Sequence, residues 1–165
     1  MPRKEDSRHL KGKAEFVGDI KLPGLWEAAF VRSPLAHATL GTITKPAGAE
    51  NRVFTAGDMT DLMPIRTVST LPGYKLSDYP ALARDKVRYV GECIAICIAP
   101  TRAEAEDLAE AVEVDLTPLP PVTDVVTALK DDAPLLHEDW GDNLFLTTEY
   151  DSDLSEAKAK ATVVL

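Results

Sequence analysis

The stretch that decides the fold spans residues 87–116 and reads VRYVGECIAICIAPTRAEAEDLAEAVEVDL. Its first part, through Ala99, is rich in β-branched and aromatic side chains, which fit a pleated sheet better than a helical turn. We therefore predict a strand there, followed by a helix and a second strand. Because side chains alternate along a strand, both faces of the first strand would be apolar, and we expect both to be covered. One face would hold Ile94, Ile96 and Ile98, and the other Cys93, Ala95, Cys97 and Ala99.

Cys93 and Cys97 are the only cysteines in the chain. At about 3.3 Å of rise per residue, positions four apart on a strand lie roughly 13 Å apart. Because that separation is too long for a disulfide or for one shared metal ion, we predict that both thiols are small buried apolar groups. The alternative that stays open is a thiol exposed in the absence of a partner. Two such cysteines give no disulfide framework, as is usual in a reducing compartment.

A helix is predicted to begin at about Arg102. Thr101 and Glu104 have the T-x-x-E spacing of a capping box, in which each side chain accepts a hydrogen bond from a free backbone N–H. Apolar residues at i, i+3, i+4 and i+7 then form a narrow stripe, which indicates a helix packed on a sheet. The acidic residues between them are expected on a solvated face rather than in a cation site. The stripe consists of Ala105, Leu108, Ala109 and Val112.

The rest of the chain predicts further strands and one long irregular segment. Alternating apolar residues predict a half-buried strand over 112–116 that ends at Pro118. Between 63 and 83, scattered proline and glycine residues break any period, so we expect an irregular crossing. Earlier strands are predicted over 25–32, 38–43 and 52–55.

The composition narrows the possible functions. A chain of 165 residues is the usual size of one domain. Its 27 acidic and 18 basic residues give a formal net charge of −9, which opposes binding to nucleic acid or to anionic lipid. The charged N-terminus leads into no apolar run, and no segment approaches the ~20 apolar residues that span a bilayer. We therefore expect a cytoplasmic protein.

Sequence signatures of catalysis are missing. There is no dinucleotide or P-loop glycine pattern, and His9, His37 and His137 each lack a second histidine at metal-ligand spacing. Two cysteines cannot supply the four ligands of an iron–sulfur cluster. We therefore predict no catalytic, cofactor-binding or metal-binding residue in this chain, and we interpret the three histidines as structural.

One short stretch suggests a different function. Asp85-Lys86-Val87 resembles the turn in which lipoyl carrier domains present a modified lysine. Its neighbours Arg84 and Arg88 differ from the acidic residues usual there, and a buried strand follows at once. A swinging-arm carrier is therefore a minor alternative, and an increment of intact mass at Lys86 would reveal it.

Taken in order, the segments resemble a known family: the N-terminal a/b hammerhead domain of the molybdopterin-binding large subunit of xanthine dehydrogenase, aldehyde oxidase and carbon monoxide dehydrogenase. Each motif is weak alone, but their order and spacing are specific and cover nearly the whole chain. Cys93 is a departure, since relatives often have proline after Gly-Glu. The matching stretches are GKAEFVGDI (12–20), LPG (22–24), AFVRSP (29–34), AHA (36–38), VFTAGD (53–58), LA (82–83), VRYVGE (87–92), the helix over 103–114 and LPPV (119–122).

The resemblance implies an α+β fold of the a/b hammerhead type, a mixed β-sheet with a packed βαβ unit, over residues 1–150. Residues 151–165 would start the connection to the molybdopterin-binding region. It also implies an oxidoreductase that oxidises a small substrate, such as an aldehyde, a heteroaromatic or carbon monoxide, with oxygen from water. Such an enzyme uses a molybdopterin-type molybdenum cofactor, with [2Fe–2S] clusters and FAD in iron–sulfur and flavin subunits. In the family the pterin-binding segments and the active-site glutamate lie outside the hammerhead, so no site residue is transferred to this chain.

Two interpretations of the whole chain remain. Residues 161–165 read ATVVL, which resembles the start of a strand, so we expect the leading part of a larger catalytic unit or a separate small subunit of one. The competing interpretation is a free-standing interaction or scaffold subunit with no redox part. A molybdopterin-binding region next to this chain would distinguish the two.

Overall fold

The computed structural model describes residues 3–149 and 152–163. Its strands and helices are short, and single turns of 3-10 helix lie at Val17–Asp19 and Glu138–Trp140. In chain order the elements are α1 (Asp6–Leu10), β1 (Glu27–Arg32), β2 (Ala38–Thr44), β3 (Val53–Thr55), β4 (Ile65–Arg66), β5 (Asp78–Tyr79), β6 (Lys86–Val87), β7 (Cys93–Ala99), α2 (Arg102–Ala111), β8 (Glu113–Pro118), α3 (Val125–Ala128) and α4 (Ser155–Lys160).

Every strand pairing in the described residues is antiparallel. β7 is the central strand of one sheet, between β1 and β3, and β2 is the central strand of another, between β6 and β8. β4 and β5 form a separate two-stranded ribbon. The predicted α+β class is confirmed, with antiparallel sheets where one mixed sheet was expected. The predicted strand–helix–strand unit is β7, α2 and β8, and because its two strands belong to different sheets it links them.

The first predicted strand of that unit is shorter than expected. It begins at Cys93, while Val87 belongs to β6 and pairs with β2. Between them the backbone turns at Gly91, whose φ of +88° lies in the left-handed region that favours glycine. The β-branched residues before the turn predicted one continuous strand, but the turn at Gly91 separates them from β7.

A β-bulge changes which side chains of β7 are buried. The register of β7 against β1 shifts at its start, so the pairing passes over Ile94. Ile94 is fully buried, whereas Ile96 and Ile98 are only half-buried. The prediction that these three isoleucines share a face, and that both faces are covered, is therefore wrong within this chain. One extra residue in a bulged strand reverses the alternation at that point.

α2 begins at Arg102, as predicted, with the expected capping box. The Glu104 N–H donates to Thr101 Oγ1 at 3.3 Å, and the Thr101 N–H donates to the Glu104 carboxylate at 3.2 Å. Ala105 is fully buried and packs against Ala29 and Ala99. These small side chains let the helix approach the sheet of β1 and β7 closely.

The core lies between the two larger sheets and beneath α2. Each sheet contributes one apolar face, and the stripe of α2 closes the edge, so that the burial of apolar area stabilises all three elements together. Its largest fully buried side chains are Ile94, Val53, Val87 and Cys97.

The remaining segments follow the predictions in part. Residues 63–83 are irregular except for β4 and β5, and β8 extends to Pro118. The predicted strand start at 161–165 is not observed for 161–163, and Val164 and Leu165 lie outside the described residues. None of the helices in the described part of the chain is long and apolar enough to cross a membrane.

Candidate functional site

Three segments of the chain enclose an open cleft of about 610 Å³. The β4–β5 ribbon forms one wall, the residues that lead from β6 into β7 form the second, and the turn at Glu138–Trp140 forms the third. Charged, tyrosine, histidine and tryptophan side chains line it.

The ribbon places a charged pair at the first wall. Arg66 Nε and Nη2 donate to the two carboxylate oxygens of Asp78 at 2.6 and 2.7 Å. This bidentate contact raises the pKa of Arg66 and lowers that of Asp78, so both remain charged at neutral pH. Next to it, the Thr67 N–H donates to the Ser77 carbonyl at 2.9 Å, which continues the antiparallel pairing.

Two tyrosines bridge the first and second walls. Tyr79 and Tyr89 share a hydrogen bond between their hydroxyls, and their rings lie 6.5 Å apart at an interplanar angle of 15°. Burial, followed by the bond to Tyr79, raises the pKa of Tyr89 well above its usual value. The Tyr89 hydroxyl therefore stays protonated at neutral pH and acts as a hydrogen-bonding group.

Glu92 organises the second wall. Its side chain is buried, and one carboxylate oxygen accepts a hydrogen bond from the Arg88 N–H at 2.5 Å. The Arg88 guanidinium donates through Nε to the Leu136 carbonyl at 2.9 Å. Ser33, at the end of β1, donates its N–H to the Glu92 carbonyl at 2.9 Å and accepts from the Gly91 N–H at 2.7 Å. Gly91 and Glu92 thus connect the end of β1 to the turn before β7, and Arg88 connects that turn to the segment at Leu136.

Aromatic stacking forms the third wall. The rings of His137 and Trp140 lie 4.4 Å apart at an interplanar angle of 22°. Burial, and then the positive charge of Arg88, lowers the pKa of His137, which keeps the imidazole neutral at pH 7. Lys75 donates to the Trp140 carbonyl at 3.1 Å and ties this wall to the residues before β5.

Lys86 is not presented as a carrier lysine would be. It lies in β6, its side chain is 14% exposed, and its ammonium pairs with the Glu138 carboxylate. The pairing lowers the pKa of Glu138. Nothing in this arrangement favours the swinging-arm alternative.

The charged groups of the cleft pair with one another or with the backbone. Arg66, Asp78 and Glu92 each have a structural partner, and no nucleophile in it lies beside a base. Among residues 3–149 and 152–163, no group of three or more His, Cys, Asp and Glu side chains could hold a metal ion. The absence of catalytic residues stays a prediction.

The two cysteines have different surroundings. Cys97 is fully buried, and burial raises the pKa of its thiol, which confirms the predicted packing role. Cys93 is half-buried, and its sulfur accepts a hydrogen bond from the Arg32 guanidinium at 3.2 Å. For Cys93 the prediction of a buried apolar group is wrong, because the strand end opens to a charged neighbour. Both thiols are free.

The structure does not bring the three histidines together. His37 is buried, and its Nδ1–H donates to the Pro120 carbonyl at 2.8 Å. His9 packs against Phe16 with a ring separation of 5.7 Å. Each histidine has a structural contact, and the absence of a catalytic or metal-binding role for them stays a prediction.

Comparison with known proteins decides the family. Residues 11–120 match the family model for the aldehyde oxidase and xanthine dehydrogenase, a/b hammerhead domain. The chain belongs to this family. Its hammerhead domain is 41% identical over 141 residues to the carbon monoxide dehydrogenase large chain of Hydrogenophaga pseudoflava, covering 82% of this chain and 17% of that protein. It is 38% identical over 129 residues to the nicotine 6-hydroxylase large subunit of Paenarthrobacter nicotinovorans, covering 75% and 16%.

Solved structures give the same result. The hammerhead chain is similar to quinoline 2-oxidoreductase from Pseudomonas putida 86, with a TM-score of 0.85 and 30% identity over 100% of this chain and 22% of that one. It is also similar to a Cu,Mo-CO dehydrogenase, with a TM-score of 0.69 and 36% identity over 84% and 18%. The hammerhead chain therefore spans less than a quarter of the length of these relatives.

The hammerhead domain exposes many large apolar side chains. One group lies before β1, one in and around the β4–β5 ribbon, and one after β8. Examples are Val17 at 88%, Ile65 at 71% and Val125 at 80% exposure.

Proposed function

We propose that this chain is a structural part of the large subunit of a molybdenum-containing oxidoreductase. Residues 1–150 would be the hammerhead domain, and residues 151–165 would begin the connection to the molybdopterin-binding region. The observation that supports this most strongly is the match over residues 11–120, together with relatives of which this chain covers only 17%. The two free cysteines suit a reducing compartment, and we place the enzyme in the cytoplasm.

The redox groups of such an enzyme would be bound outside this chain. A molybdopterin-type molybdenum cofactor supplies oxidation of a small substrate with oxygen from water, and [2Fe–2S] and FAD partners accept the electrons. The two cysteines here do not fit an iron–sulfur cluster, because Cys97 is enclosed by apolar side chains and the Cys93 sulfur accepts a hydrogen bond from Arg32. The names of the relatives suggest carbon monoxide or a nitrogen heteroaromatic as the substrate class.

The role of this chain would be to dock on the molybdopterin-binding region and fix its position. The core clusters make the body of the domain rigid, while the exposed apolar side chains offer contact area. Permanent interfaces of this kind bury ~2,000 Å² or more in total and are rich in apolar residues.

Co-expression with the molybdopterin-binding polypeptide tests the proposal. The two should elute as one complex from gel filtration at nanomolar concentration, and the assembled enzyme should oxidise carbon monoxide, a nitrogen heteroaromatic or an aldehyde. Separate elution of two folded components would contradict the docking role.

Metal and flavin analysis of the chain alone tests where the cofactors are bound. The purified chain should contain no molybdenum, iron or flavin by plasma mass spectrometry and absorbance. Stoichiometric metal in it would show that the chemistry has been placed in the wrong part of the enzyme.

A further inference from the structure

Residues 10–26, which we call the N-terminal arm, expose seven large apolar side chains. Within the arm only Ala14 is partly covered, and every other residue is exposed. Exposure reaches 87% and 88% for the two least covered of them. The seven side chains are Leu10, Phe16, Val17, Ile20, Leu22, Leu25 and Trp26.

The hydrogen bonds of the arm are all local. Backbone bonds join Asp19 to Phe16 and Leu25 to Leu22, at 2.9 and 3.1 Å, and the Asp19 carboxylate accepts from the Phe16 N–H at 2.9 Å. Among the described residues, none of its hydrogen bonds reaches the two larger sheets or α2. Local hydrogen bonds therefore shape the arm, and none among the described residues ties it to the body of the domain.

The position of the arm is nevertheless defined at one end. β1 starts at Glu27, directly after the arm, and forms an edge of the sheet with β7 and β3. The likeness to quinoline 2-oxidoreductase covers 100% of this chain, arm included, with a TM-score of 0.85. The match to this longer chain therefore includes a segment that, among the described residues, makes no hydrogen bond to the two larger sheets or α2.

We propose that the N-terminal arm is a docking element that lies against the remainder of the large subunit. This rests on the function proposed above. The surface that covers the arm would belong to the rest of the large subunit. This chain covers only 16–22% of these relatives, so a long polypeptide remains to form that surface. A second copy of this chain is a poorer occupant, because two molecules with a net charge of −9 repel each other.

Trypsin gives a direct measurement, because the arm contains Lys11, Lys13 and Lys21 and all three are exposed. In the isolated chain these sites should be cut quickly. In the assembled large subunit, cleavage there should be at least about tenfold slower, while the exposed Arg102 at the start of α2 is cut at a similar rate in both. Cleavage of the arm at equal rates in both samples would overturn the proposal.

Matched double variants give the second measurement. Val17→Asp with Ile20→Asp changes the arm, and Ala47→Asp with Ala103→Asp adds the same charge at exposed positions outside the exposed apolar groups. The arm variant should weaken binding to the molybdopterin-binding polypeptide by at least about tenfold, with an unchanged melting temperature of the isolated chain. The control variant should bind like the wild type.

The outcomes separate the two proposals. If the wild-type chain does not bind the molybdopterin-binding polypeptide, the docking function itself is wrong. If the wild type binds and the arm variant binds equally well, or both variants lose binding equally, only the role of the arm is wrong.

Discussion

The strand–helix–strand unit at 93–118 and the N-terminal arm at 10–26 are both rich in apolar residues, yet they end in opposite environments. In the unit, apolar residues recur with the period of a strand or a helix and are buried by the chain itself. In the arm they follow no period and almost all are exposed. Periodic apolar residues thus form a core within one chain, whereas unpatterned ones lie where another surface can cover them.

Truncation of matched isoleucines should separate the two regions most strongly. Ile94 is fully buried in the core and Ile20 in the arm is 49% exposed. Ile94→Ala should lower the free energy of unfolding by about 2–5 kcal/mol, because it removes buried contacts and leaves a cavity. Ile20→Ala should change it by less than about 0.5 kcal/mol. Urea melts of the isolated chain would measure both, and a large loss in Ile20→Ala would mean that the arm packs on the body.

One glycine from the turn before β7 and one from the arm extend the comparison to the backbone. Gly91 has φ of +88° and Gly24 has φ of +76°, and in both cases an added Cβ would meet no atom within 4 Å. Gly91→Ala should cost about 1–2 kcal/mol of stability, because the hydrogen bonds around Glu92 hold this conformation. Gly24→Ala should cost less stability in the isolated chain. The arm makes only local hydrogen bonds, so its backbone can change conformation to accept the new side chain.

The helix cap tests the unit on its own. Thr101→Ala should cost on the order of 1 kcal/mol, because it leaves the Glu104 N–H without its acceptor. Thr123→Ala, at an exposed position before α3, is the control and should be nearly neutral. An unchanged urea midpoint for Thr101→Ala would mean that the cap adds nothing to the stability of the unit.

The smallest expected effect depends on pH and lies at the end of β3. Lys45, followed by the N–H and hydroxyl of Thr55, lowers the pKa of Asp58 from 3.8 to about 2. Because the folded-state pKa is the lower one, this contribution to stability is present above pH 3.8 and is lost as the pH falls toward 2. Asp58→Asn should therefore lower the melting temperature at pH 7, with a difference that shrinks in acid.

Asp61→Asn provides the control for that measurement. It removes the same charge from an exposed carboxylate outside this cluster. An effect of Asp58→Asn that is equal at pH 7 and in acid would mean that the ion pair with Lys45 does not stabilise the fold.

Local patterns predicted much of the fold. The T-x-x-E spacing gave the first residue of α2, and the alternation before Pro118 gave β8. The bulge at Ile94 was not predictable, because it depends on how β7 pairs with β1, whose residues lie about 60 positions earlier. The period of a single strand contains no information about its partner's register.

The cleft was missed because its members are far apart in the sequence. Arg88 meets the Leu136 carbonyl across 48 positions, and Lys75 meets the Trp140 carbonyl across 65. No spacing rule joins such residues. The one local signal was the pair of arginines, Arg84 and Arg88, beside Lys86, and it indicated only a poor match to a carrier turn.

The central position of β7 has a consequence for folding during synthesis. β1 and β3 form hydrogen bonds with β7 and not with each other, and β2 needs β6 and β8 on its two sides. The first three strands therefore leave the ribosome with their edges unpaired until residues near 93–118 have been made. These long-range pairings must also overcome a larger loss of loop entropy than local ones. Until then, nascent strands with open edges are the stage of its life at which this domain is most prone to aggregate.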